Sequence, residues 1–290
     1  AGGAGAGEAL SSFIVQFYDD KPVPRLVLAS HPLEDGELLA RVDNVFRAVN
    51  SASTSDEIEA IARELAPEQS THADAILFDR GLFERIRKVY DARNGLPLSP
   101  EQRRLIEKRY RDFVRGGALL DEPKKTRLAK INEELSLLGL RFSENVLKET
   151  NGFELVIESR DDLAGLPPGA VDAAAEAAAS RGRPGSWVFT LHNPSIVPFL
   201  QYAERRPLRE KMFKAYVERG NRGGELDNNA LCSRIASLRT ERAKLLGYDT
   251  HASYVLEEGM AKEPERVYEF LHKLWPPALE RAKNEAKALQ

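Results

Sequence analysis

Leu128, Ile131, Leu135, Leu138, Phe142 and Val146 step along the chain by 3, 4, 3, 4 and 4 residues. A helix turns once every 3.6 residues, so this spacing sets all six on one side of a single long helix. That helix is read from about Asp121 to about Leu147. A stripe of this length cannot be hidden by the helix that carries it. It needs another helix against it, and the stretch is long enough to pair with a neighbour as a coiled-coil-like hairpin. The feature therefore pushes the whole chain toward helix-on-helix packing.

The same period recurs on both sides. Leu38, Leu39, Val42, Val45, Phe46 and Val49 mark a helix beginning at Glu37, and Thr54 with Glu57 has capping-box spacing. Ile58, Ile61, Ala62 and Leu65 extend a stripe that should stop at Pro67, and a further helix is expected over 70–93. The run NGLP (94–97) should end it, with Gly95 in a left-handed cap. Ser99-Pro100-Glu101-Gln102 is a strong start signal. The serine caps, the proline sits where its missing N–H is harmless, and the glutamine reaches back. That helix is expected to run to Gly116-Gly117. The pattern changes at 152. FELVIE (153–158) and WVFTL (187–191) are short and rich in β-branched or aromatic residues, so both are read as strands around an Ala-rich helix at 169–180. Helical period then returns over about 195–203, 207–219, 228–246, 249–257 and 264–289. The expected fold is mainly α: a multi-helix array with long antiparallel helices and one small β element (about 153–158 and 187–191). Three regions are expected. Residues 1–36 are an irregular, poorly ordered lead-in, 37–150 an N-terminal helical region, and 151–290 the β element with more helices. The last helix carries its amphipathic pattern to Gln290 without a stop signal, so the reading expects a continuation.

Composition narrows the function classes. The 290 residues carry 42 Lys and Arg against 45 Asp and Glu, a net charge of −3, so no global basic field draws nucleic acid or anionic lipid. One cysteine, Cys232, excludes an internal disulfide and suits a reducing compartment. No apolar run approaches the roughly 18 residues that suggest a membrane span. The first ten residues lack the basic and apolar regions of a secretory signal.

No self-contained catalytic constellation is legible. His31, His72, His192, His251 and His272 include no pair three or four apart, so there is no HExxH helix. Glu269 and His272 give a single Glu-x-x-His, whereas a di-iron bundle needs two with two more glutamates. His192, between a strand and Pro194, is expected to bond a loop carbonyl. Cys232 sits mid-helix and is expected to pack in the core rather than act as a nucleophile. GGAGAG at the start follows no strand and misses the dinucleotide-loop spacing. Residues 99–130 hold ten Lys and Arg against five acids. The acids are interleaved at helical spacing, which favours a solvated face with i,i+4 pairs over an anion-attracting one.

Three stretches then carry a resemblance: DDLAGLPPGAVDAAAEAA (161–178), WVFTLHNPSIVPFLQYAERRPLREKMFKAYVERG (187–220) and DNNALCSRIASLRTERAKLLGYDTHASYVLEEGMAKEPERVYEFL (227–271). LLARVDNVF (38–46), LAPEQSTHADAI (65–76) and LFERIRKVY (82–90) add to it more loosely. In this order they resemble the upstream half of the thimet-oligopeptidase family of zinc metallopeptidases. TLHNPS (190–195) and MAKEPE (260–265) are most like its peptidyl-dipeptidase branch, with the oligopeptidase A branch second. The resemblance covers roughly 250 residues and leaves out the first 36. It implies a helical channel wall that admits short peptides and excludes folded proteins, in a cytoplasmic, monomeric parent whose zinc is held by an HExxH helix and a further Glu. No position here matches those ligands. The expected catalytic, cofactor-binding and metal residues of this chain are therefore none, and the chain alone is expected to be inactive. The expected partners are short peptide substrates and the C-terminal catalytic part, with no nucleic acid and no membrane. The alternative is a non-catalytic helical module that binds peptides or a protein.

Overall fold

The computed structural model describes residues 34–289. Among them are eleven α-helices and one two-stranded antiparallel sheet, so the mainly helical expectation holds. The lead-in expected over 1–36 lies outside the described residues as far as 33. Its last three residues are already helical, in α1 (Glu34–Ala52).

α2 (Asp56–Phe78) begins one residue later than the Thr54–Glu57 spacing predicts. Ser55 is extended, and its Oγ accepts the Ile58 N–H at 3.4 Å. Thr54 instead donates its hydroxyl to Asn50 at 2.8 Å. Pro67 does not end the helix; it lies inside it. A proline there forfeits one backbone bond, a loss a helix anchored elsewhere can carry. The break falls at Asp79, whose ψ of 109° leaves helical space and whose Oδ1 accepts from Leu82 N at 2.6 Å. The helix expected over 70–93 is thus split, and its second part is α3 (Arg80–Ala92). Gly95 is not left-handed; its N–H closes a turn onto Ala92 at 2.9 Å.

α4 (Pro100–Arg115) has the expected capping box. Gln102 N–H donates to Ser99 Oγ, and Ser99 N–H donates to the Gln102 side chain at 2.9 Å. α3 and α4 share a core of Leu82, Phe83, Ile86, Val89, Ile106 and Phe113. Tyr90 stacks on Tyr110 with centroids 3.9 Å apart at its margin. Gly117, at φ 101°, turns the chain after α4, where a Cβ would strike Leu128.

α5 (Glu122–Gly152) outruns its expected end by several residues. Leu128 and Ile131 are wholly buried, yet Phe142 at the far end of the stripe is 36% exposed. Toward that end the buried positions are polar: Glu144, Asn145 and Thr150.

Two compact units emerge. One is Leu137–Ile235; the other comprises the described residues up to Ser136 and from Ala236 onward. In the first, β1 (Leu155–Ile157) pairs with β2 (Trp187–Phe189), setting Leu155 opposite Phe189 and Ile157 opposite Trp187. Around this sheet lie α6 (Pro168–Ala179), α7 (Asn193–Tyr202) and α8 (Arg206–Val217). Ala174 and Ala178 give α6 a small buried face. Leu155, Phe189, Leu191, Phe199 and Met212 form the centre of the core. Gly165, at φ 84°, lies where a Cβ would meet the Tyr202 carbonyl, and Glu204 N–H bonds Ala164 O beside it at 2.9 Å. A polar network closes the other end of this unit. Asn145 donates to Asn228 at 2.9 Å, Asn228 donates to Phe142 O at 3.1 Å, and Gly220 N–H donates to Glu149 at 2.7 Å.

α9 (Asn229–Leu245) leads to the short α10 (His251–Leu256) and to α11 (Pro264–Leu289). No described residue of α11 is buried. No described helix is long and apolar enough to cross a membrane.

Candidate functional site

The chemistry-bearing residues do not converge. His31 lies outside the described residues. His72 borders an apolar groove of about 590 Å³ between α1 and α2, with Val42, Phe46, Ile61 and Leu65. His192 is exposed. Its Nδ1 is 3.1 Å from the Thr190 hydroxyl and its Nε2 3.1 Å from the Asn151 side chain, so its partners are side chains and not the loop carbonyl expected. His251 lies on α10, where burial, then Arg242 and Arg239, hold its pKa below the ordinary value. His272 and Glu269 are both exposed on α11, and the imidazole leans on Tyr268 with ring centroids 6.2 Å apart.

Zinc needs about three converging nitrogen, sulfur or carboxylate ligands with one open position. Among the described residues no three His, Cys, Asp or Glu side chains are grouped to hold a metal. The described residues do not fit a zinc centre. Cys232 corrects another expectation: it is exposed, not packed in the core. Leu231 and Leu238 carry the buried face of α9, and Cys232 falls beside it.

The basic stretch 99–130 does two things. Lys108 pairs with Asp112 at 2.8 Å and Lys124 with Asp121 at 3.3 Å, the local pairs the sequence predicts. Three arginines reach much further along the chain. Arg111 bonds Glu258 at 2.8 Å, Arg127 grips both oxygens of Glu241 at 2.6 Å, and Arg115 bonds Glu257. These carboxylates come from segments more than a hundred residues away, so sequence spacing could not show the pairs. The excess of positive charge is spent fastening α4 and α5 to α9 and the α10 end.

Arg115 is the centre of this fastening. Its guanidinium donates to the Tyr254 carbonyl at 2.7 Å and to the Tyr248 hydroxyl at 3.2 Å, and stands 4.3 Å from the Tyr254 ring centroid. Tyr248 in turn donates to Glu257 at 2.5 Å. Burial first, then the Glu257 bond, pushes the Tyr248 phenol up to about 12. Burial works against the Glu257 charge, but the Tyr248 and Arg115 bonds prevail and hold its carboxyl below the usual range.

Next to Arg115 lies a cavity of about 380 Å³ with a mixed wall. Leu77, Leu128, Leu135 and Leu246 supply its apolar part; Ser70, Asp74, Asn132, Ser136 and Arg242 supply the polar part. Asp74 is 6% exposed. Its Oδ1 accepts from Asn132 at 2.8 Å, while its buried Oδ2 has no partner. The buried Nε of Arg242 also has none. Burial raises the Asp74 pKa, against the Asn132 bond and the Arg242 charge. Nothing in the sequence marked Asp74, since a lone aspartate in a helical run reads as a surface residue.

Residues 199–290 match the model of Peptidase family M3. Residues 1–48 match the UvrC Ribonuclease H-like domain, a match that lies mostly outside the described residues. The chain is 33% identical over 257 residues to a dipeptidyl carboxypeptidase of Salmonella typhimurium, covering 89% of this chain and 38% of that protein. It is 33% identical over 270 residues to a probable cytosolic oligopeptidase A of Arabidopsis thaliana, with the same coverage of 89% and 38%. Oligopeptidase A of Haemophilus influenzae is 34% identical over 261 residues, again covering 89% of this chain and 38% of that protein. The chain therefore spans 38% of the length of these relatives. Over these residues the chain is similar to the Peptidase family M3 model and to proteins named dipeptidyl carboxypeptidase and oligopeptidase A.

Proposed function

We propose that this chain is the channel-wall portion of a zinc metallopeptidase that cleaves short peptides, by release of dipeptides or by internal cleavage. The observation that carries this reading is the alignment at 31–34% identity, over 87–89% of the chain, to proteins whose names are peptidase names. The zinc ligands, the catalytic water and its base then belong to a C-terminal catalytic part that this chain does not supply. In that arrangement the zinc would polarise the scissile carbonyl and lower the pKa of its bound water. This chain's contribution is steric: a wall of helices excludes folded domains and lets extended segments pass.

α11 supports the reading. Tyr268, Leu271, Trp275 and Leu279 follow the 3-4 spacing of one helix face, and all are exposed, Trp275 by 65%. A face of this kind normally meets another surface, and the catalytic part is the surface proposed for it. In this reading the parent is a cytoplasmic monomer with no nucleic acid or membrane as partner. The test is reconstitution. The chain mixed with the downstream part of an M3 relative should gain zinc-dependent cleavage of a short fluorogenic peptide, and Trp275→Asp should abolish the gain. Cleavage that develops equally with and without this chain would refute the proposal.

A further inference from the structure

α10 is fastened from two sides. From α4, Arg115 donates to the Tyr254 carbonyl at 2.7 Å and bonds Glu257, while Arg111 bonds Glu258 at 2.8 Å. From α9, the Arg242 guanidinium stands 5.5 Å from the Tyr254 ring centroid. The Arg115 guanidinium lies 4.3 Å from the same centroid, so two cations already share one aromatic ring. His251, the first residue of α10, stacks on that ring as well, with centroids 6.3 Å apart. Its Nδ1 is buried and has no hydrogen-bond partner. A neutral imidazole can leave that nitrogen as a bare lone pair, whereas an imidazolium carries an N–H on both nitrogens. Protonation therefore buries a charged donor without an acceptor, which costs far more than an unpaired lone pair. The charges that act on the imidazole are those of Arg242 and Arg239, both on α9. Glu257 is already held by Arg115 and Tyr248, and Asp74 of α2 is coupled by charge to Arg242.

We infer that His251 is a pH-sensitive latch, whose protonation in mild acid loosens α10 from α4 and α9. A third cation then meets Arg115 and Arg242 around one tyrosine, and the strain is relieved when the short helix moves away. Burial first, then Arg242 and Arg239, holds the folded pKa below the unfolded value near 6.5. The stabilising share of the neutral ring is whole above pH ~6.5 and is lost as pH falls through the folded value. Asp74, whose pKa is raised, titrates in the opposite sense and cannot supply a loss in acid. α11 follows α10 in the chain, so the loosening acts where that helix begins.

The test is amide hydrogen exchange of the complete 290-residue chain at pH ~7.5 and ~5.5, each rate corrected for the intrinsic pH dependence of exchange. Amides of residues 251–257 should exchange about threefold or more faster at the lower pH, while those in the core shared by α3 and α4 keep their rates. His251→Gln, which stays neutral, should hold the slow rate at both pH values. A histidine NMR titration of the unaltered chain tests the inference even if the variant fails to fold. The His251 ring should titrate below the ordinary value, in step with the change in exchange. Exchange in α10 that ignores pH would overturn the inference. So would an acid change that persists in His251→Gln, or a His251 ring that titrates at or above the ordinary value.

Discussion

Tyr248 donates a hydrogen bond to Glu257 while Arg115 holds the same carboxylate, so three side chains share one charge balance. The phenol titrates at about 12, above the ordinary value near 10. The raised pKa means that its contribution to stability is complete below pH ~10 and is lost as pH rises through about 12. A tyrosinate absorbance titration should show one late phenol that Tyr248→Phe removes; a series in which all phenols ionise together would argue against the network. Arg115→Met should lower stability by about 2 kcal/mol in urea unfolding, since it strips hydrogen bonds from a charged group. Arg115→Lys should recover little, having no fork to reach three partners. Asp74 has the opposite sense to Glu257. With its pKa raised, its stabilising share is present below the unfolded value near 3.9 and lost as pH rises through the folded one. Asp74→Asn should therefore match or exceed the native chain at pH 7; a clear loss there would contradict the assignment. None of these partnerships was legible in the sequence. Arg115 and Glu257 are 142 positions apart, and only the folded helices bring them together.

The elements were far more readable than the side-chain contacts. Stripes at 3-4 spacing located nearly every helix because burial of one face is what a helix in a packed array must achieve. The Ser99 box was legible to the residue because its bonds are local. Ser99→Ala should cost about 1 kcal/mol in thermal or urea unfolding, with little effect if α4 is held by its core alone. Where spacing and structure differ the cause is shared: distant packing overrides a local rule. Pro67 reads locally as a stop, yet α2 passes through it, and the break falls at Asp79, which caps α3. The spacing carries the stripe on α5 to Val146, while the buried positions there are Glu144, Asn145 and Thr150, of which Asn145 bonds Asn228 and Thr150 bonds Arg219. In that network Asn228→Ala would strand Asn145 and the Phe142 carbonyl, and a loss of about 1–3 kcal/mol is expected in urea unfolding.

At the scale of the molecule, the helices and the small sheet place no metal-binding cluster among the described residues, while the sequence aligns with M3 peptidases over 38% of their length. Under the proposed function, the chain shapes access to a reactive centre whose ligands lie on other residues. The resemblance was legible because it rests on many ordered segments. The exposed face of α11 was not, because amphipathic spacing says a face exists and not whether it is covered. The most direct test loads the purified 290-residue chain with zinc, removes the unbound metal by dialysis, and measures both metal content and release of products from a short peptide. The account predicts less than stoichiometric zinc and no turnover. One tightly held zinc per chain, with hydrolysis that follows the metal, would contradict it.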